Sequence, residues 1–140
     1  MLVDSNVLID IAADDAQWLE WSTSQIELAA RNGPLFINDV IYAECSVRYD
    51  QIFDYEKFLT RAGISRVPIP AEALFLAGKV FADYRRTRGT KTGVLPDFFI
   101  GAHAVVSGLP LLTRDVRRYR TYFPTIELIA PRPSQSEGID

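Results

Sequence analysis

The chain has 140 residues, 48% of them hydrophobic and 24% charged, the balance of one folded domain with a single core rather than of a disordered segment. A formal net charge of −3 argues against a globally basic nucleic-acid coat, and the lone cysteine, Cys45, excludes an internal disulfide and suits a reducing cytoplasm. No leader-like segment is expected at the start. The longest nearly uncharged run, Phe98 to Thr113, is broken by His103 and Gly108-Leu109-Pro110 and falls short of the ~18–20 apolar residues of a bilayer span.

In chain order, Leu2-Val3 is an apolar run that stops on Asp4, followed by Ser5-Asn6 and a second apolar run up to Asp10. Two roles compete for Asp4. It can cap a following helix, or it can be a functional group at the carboxyl end of a parallel strand, where such groups collect. Asp14-Asp15 predicts the cap of a helix from Ala16 to about Arg31, with Trp18, Trp21 and Leu28 among its apolar positions and Gly33-Pro34 as its stop. Leu35–Ile37 is a second strand, and Asn38-Asp39 then caps a helix from Val40 to Tyr49. Asp50 to Ala62 reads as another helix, carrying Phe53, Phe58 and Leu59 and closed by Gly63. Ile64 to Ile69 is a weak strand; Pro70 suits a first helical position, with helix continuing to about Arg86. A polar loop over 87–93 leads to Pro96-Asp97, which opens a helix to about Ser107. Leu111–Thr113 is a further strand, Asp115 caps a basic helical turn, and Ile126–Ile129 is the last strand. The domain therefore spans 1–130, with 131–140 a flexible tail rich in Pro, Ser and Gly. Strands alternating with helices predict an α/β fold, a mainly parallel sheet between helical layers with its strand ends converging on one edge.

Four carboxylates occupy comparable places. Asp4 and Asp115 follow strands, Asp97 lies in the first turn of its helix, and Glu44 lies inside a helix. Glu44 is the least explained by structure alone, because at helical spacing it shares a stripe with Val40, Ile41 and Val47. A buried carboxylate is protonated, paired or metal-bound; a solvated glutamate at the edge of the stripe is the alternative. If the four converge, each pair of unit charges ~4 Å apart repels by ~4 kcal/mol at an effective dielectric of ~20, and a divalent cation removes that penalty. Oxygen-only ligands favour a hard ion such as Mg²⁺ or Mn²⁺, and one histidine with one cysteine argues against zinc. Such a cluster suits metal-assisted phosphodiester hydrolysis. Eight of the fifteen basic residues fall between Arg85 and Arg120, a local basic zone fit for a polyanion or, equally, a pair of solvated helix ends.

Asp4-Ser5-Asn6-Val7-Leu8-Ile9-Asp10, Tyr42-Ala43-Glu44, Pro96-Asp97-Phe98-Phe99-Ile100-Gly101-Ala102-His103-Ala104 and Leu112-Thr113-Arg114-Asp115, in this order and spacing, resemble the PIN-domain nucleases, and among them the VapC-type toxins of toxin–antitoxin pairs. The resemblance covers roughly Leu2 to Ile129. It implies a three-layer α/β/α sandwich and a Mg²⁺- or Mn²⁺-dependent endoribonuclease acting on RNA. It further implies a homodimer, or a higher toxin–antitoxin assembly, inhibited by a VapB-type antitoxin. By position it assigns Asp4, Glu44, Asp97 and Asp115 as the catalytic and metal-binding quartet, with Asp4 and Asp97 the most direct ligands. Asn6 orients Asp4, and Thr113 hydrogen-bonds in the pocket. Ser5 replaces the more usual threonine, and Pro96 before Asp97 is also a departure.

Other residues have plainer expected roles. His103, six positions past Asp97 and about 120° around the helix, is expected to be packed rather than a ligand. Cys45 is expected as a small apolar filler. Trp18, Trp21, Tyr42, Tyr49, Phe53 and Phe58 are expected in the core in the main; those exposed would line an antitoxin groove. Arg85, Arg86, Arg88, Lys91 and Arg114 are candidate RNA phosphate contacts. A receiver-like signalling or binding module on a similar sheet is the alternative, disfavoured by apolar Val3 before Asp4 and by Arg114 where a lysine would stand. A phosphatase with a nucleophilic aspartate ranks last, because its partner acid two residues on is replaced by Asn6.

Overall fold

The computed structural model describes residues 1–87, 89–90 and 93–132. The proposed contacts Arg88 and Lys91, and all of the expected tail beyond residue 132, lie outside the described residues. Five short strands, β1 (Leu2–Val3), β2 (Leu35–Ile37), β3 (Ile64–Arg66), β4 (Leu111–Leu112) and β5 (Leu128–Ile129), form one sheet in the order β3-β2-β1-β4-β5. Every pairing is parallel. The central strands are apolar without alternation because both faces are covered: Leu2, Val3, Leu35, Ile37, Leu111 and Leu112 are all fully buried.

Helices α1 (Ser5–Ala12) and α2 (Leu19–Asn32) join β1 to β2; α3 (Asp39–Ser46) and α4 (Ile52–Ala62) join β2 to β3. The chain then returns across the sheet through α5 (Ala71–Arg86) and α6 (Leu95–Ser107) to β4, and α7 (Arg117–Tyr122) leads on to β5. Right-handed crossovers put α1–α4 on one face and α5–α7 on the other. Within each set α1 lies on α2 and α3, and α6 on α5 and α7, while α3 also meets α6. This is the α/β/α sandwich expected from the alternation of elements. Among the described residues no helix is long and apolar enough to cross a membrane.

Several expected boundaries shift for local reasons. Asp15 caps as predicted, its Oδ1 accepting the amides of Gln17 and Trp18 at 2.9 and 2.8 Å, but the regular helix starts only at Leu19. β3 stops at Arg66 rather than Ile69, since Pro68 and Pro70 bring no N–H to a ladder. α3 ends at Ser46, so Val47 leaves the stripe it was expected to share with Glu44 and is 78% exposed. Phe53 is likewise exposed rather than core, because α4 turns Tyr55 and Leu59 inward instead. Leu28 is exposed as well. Trp18 is buried edge-on against Trp21, and Tyr42 and Tyr49 each stack on Tyr55. Asp115 is not a cap, for α7 begins after Val116 without side-chain capping.

Candidate functional site

Strand register builds the site. Val3 pairs with Leu112, and the Asp4 amide donates to the Leu112 carbonyl at 2.9 Å, so Asp4 and Thr113 emerge side by side where the two strands end. Asp4 both caps a helix and stands at the carboxyl end of β1. Its Oδ1 accepts the Ser5 amide at 2.8 Å and caps α1. Its Oδ2 accepts from the Thr113 hydroxyl at 2.8 Å, the Tyr119 hydroxyl at 2.9 Å and the Asn6 amide at 3.4 Å. Thr113 donates its one proton to Asp4 and accepts from Asn6 Nδ2 at 3.2 Å and from the Asp115 amide at 3.0 Å. The Arg114 amide donates to Asn6 Oδ1 at 3.1 Å, which fixes the orientation of that side chain.

Burial pushes the Asp4 carboxyl up to about 6, against the opposing pull of the Thr113 hydrogen bond, and the Asp97 charge raises it further. Glu44 is raised first by burial; Ser5 offsets this in part, while Asp4 and Asp97 add to it. Asp97 is raised by burial, held down by Arg118 and raised by Asp115. Asp4, Glu44 and Asp97, from the end of β1, α3 and α6, therefore feel one another's charge, and exposed Asp115, after β4, is felt by Asp97. Glu44 Oε1 is buried with no hydrogen-bond partner among the described residues, a costly state for a carboxylate oxygen. Arg118 clasps Asp97. Among the described residues no three acidic, histidine or cysteine side chains are spaced to hold a metal ion as they stand. A hard divalent cation nevertheless fits the donor set, which is all oxygen, net negative and contains one orphaned buried acceptor.

The other candidates fall as follows. His103 is buried, its Nδ1 taking a hydrogen bond from Asn38 Nδ2 at 3.1 Å, so its proton resides on Nε2, and burial lowers its pKa. Asn38 caps α3 through Ile41 at 3.0 Å. One side chain thus joins the helix bearing Glu44 to the helix bearing Asp97. Cys45 is buried, and its thiol is pushed up to about 12 by burial, which removes it as a nucleophile. Arg85 and Arg86 lie exposed at the end of α5. Tyr84 packs edge-on against Phe98 at 5.7 Å, so that helix end adjoins the start of α6 and Asp97. Arg114 is engaged internally: Nε and Nη2 grip buried Asp10 at 2.6 and 2.8 Å, with the guanidinium over Trp18.

Sequence reasoning passed over Tyr119, Arg118 and Asp10. Nothing in the local pattern separates Arg118 from its neighbours Arg117 and Arg120. Nor does anything local mark Tyr119, whose partner Asp4 lies 115 residues away in sequence.

Residues 1–124 match the PIN domain family. Among curated proteins none matches the sequence significantly. Solved structures similar to this chain include a VapBC2 complex from Rickettsia felis bound to promoter DNA, with TM-score 0.71 and 15% identity over 94% of this chain and 98% of that one. A toxin–antitoxin complex from Klebsiella pneumoniae gives TM-score 0.62 and 19% identity over 94% and 97%. FitAcB from Neisseria gonorrhoeae gives 0.59 and 16% over 91% and 95%. With the acidic pocket at the strand ends and a family match over most of its length, the chain belongs to the PIN domain family.

Proposed function

We propose that this chain is a VapC-type toxin, a Mg²⁺- or Mn²⁺-dependent endoribonuclease restrained by a VapB-type antitoxin. The observation that carries the reading is the mutual charge coupling of Asp4, Glu44 and Asp97, with Asp115 coupled to Asp97, beside a buried oxygen of Glu44 that has no hydrogen-bond partner among the described residues. Asp4, Glu44 and Asp97 would hold the ion, with Asp115 completing the site. When bound, the ion supplies an activated water and neutralises charge on the phosphodiester. The chain's own residues do the rest. Thr113, Tyr119 and Asn6 fix the Asp4 carboxylate by hydrogen bonding to Oδ2. Arg85 and Arg86, at the helix end beside α6, attract and orient the RNA backbone.

The likeness to toxin–antitoxin complexes supports the antitoxin as partner. Exposed Val47, Ile52 and Phe53 around the start of α4 offer it apolar anchoring points, and a homodimer and a cytoplasmic setting complete the proposal. Chelated protein should cleave RNA again when Mg²⁺ or Mn²⁺ is returned, and Asp4→Asn or Asp97→Asn should abolish cleavage with the fold intact. Full activity in both variants would end this reading.

A further inference from the structure

Helix α7 reaches the acidic pocket twice. Tyr119 is buried and donates to Asp4 Oδ2 at 2.9 Å, which anchors the helix, and the preceding residue, Arg118, delivers its guanidinium onto Asp97 Oδ2. The partners are largely shielded, with 27% of the Arg118 side chain and 23% of the Asp97 side chain exposed. Arg117 and Arg120 on the same helix are exposed and point elsewhere. An arginine cannot give up its charge at any ordinary pH, so while Asp97 is ionised a second cation reaches it only by displacing the guanidinium. We infer that Arg118 is a built-in counter-ion of the acidic pocket, which a divalent cation must displace from Asp97, so that Arg118 sets the metal affinity of the site.

The inference rests on the proposed metal site and adds a residue to it. A singly charged guanidinium offsets one of several converging carboxylates and leaves the Glu44 oxygen unserved. A compact divalent ion offsets more charge with shorter contacts, so the exchange runs in its favour against a fixed opposing cost. The side chain is long and reaches solvent, so it can swing out of the pocket while Tyr119 keeps α7 in place.

The test is calorimetric titration of Mn²⁺ into metal-stripped wild type, Arg118→Gln, Arg118→Lys and Asp4→Asn, each checked for folding by circular dichroism. Losing a half-buried charge-assisted pair should tighten Mn²⁺ binding by about three- to tenfold in Arg118→Gln. Arg118→Lys, which keeps the charge, should stay within about twofold of wild type. Unchanged or weaker binding in Arg118→Gln, alongside loss of binding in Asp4→Asn, overturns the role of Arg118 and leaves the metal site standing. Equal tightening in both Arg118 variants also overturns it, since charge would not then be what competes. Absence of Mn²⁺ binding in the wild type and both Arg118 variants overturns this inference and the metal site together.

Discussion

Asp4→Asn should stabilise the protein it inactivates. The Asp4 carboxyl sits at about 6 in the folded protein, against an ordinary value of 3.8. A raised carboxyl means that the native state keeps a proton that the unfolded chain releases. The associated stability is thus fully present below pH 3.8 and is lost as pH rises through 6. About two pH units of displacement correspond to about 3 kcal/mol that the ionised form costs above pH 6. Asparagine carries no charge to desolvate. Its oxygen can keep the Ser5 amide and the Tyr119 hydroxyl can rotate to accept from its NH₂, whereas the Thr113 hydroxyl, already accepting from Asn6 and the Asp115 amide, loses its acceptor. Allowing for imperfect replacement of those bonds, the gain at pH 7.5 is about 2 kcal/mol, a rise in Tm of roughly 6–10 °C at this chain length. Thermal melts of both proteins in EDTA from pH 3.5 to 8 measure it. The two curves should meet below pH 4 and diverge between pH 4 and 6. A destabilised Asp4→Asn at pH 7.5, or a difference that does not vary with pH, would refute the reasoning.

Arg114→Met should lower stability by about 3 kcal/mol, because it leaves Asp10 buried with only the Ser22 hydroxyl at 2.8 Å. If Arg114 instead serves RNA alone, denaturant melts will be unchanged. Gly101→Ala should cost about 1–3 kcal/mol, since a Cβ there overlaps the Phe123 ring; a neutral Tm would show that the ring moves freely. Asn38→Ala removes the α3 cap and the partner of His103, an expected loss of about 2 kcal/mol by urea titration. Mn²⁺ affinity should strengthen as pH rises through about 6, with proton release on binding below that value, because Asp4 must ionise to bind; flat calorimetric profiles in buffers of different ionisation heat would contradict this.

The sheet and the four carboxylates were legible because their signals are local. Apolar runs ending on Asp4, on Asn38 and before Asp115 mark strand ends, and register does the rest by bringing Asp4 beside Thr113. Glu44 was found as a polar residue on an apolar stripe, yet that stripe was drawn one turn too far, because the end of α3 at Ser46 depends on tertiary packing and left Val47 exposed. The fate of the arginines was not legible. Arg114 and Arg118 sit in one basic stretch with Arg117 and Arg120, and only the fold decides which guanidinium meets Asp10, which meets Asp97 and which two face solvent.

The most direct test of the account is an anomalous-scattering map of crystals soaked in Mn²⁺. A peak is expected about 2.1 Å from oxygens of Asp4 and at least one of Glu44, Asp97 and Asp115. No peak there at saturating Mn²⁺, or one elsewhere with these four carboxylates untouched, would contradict it.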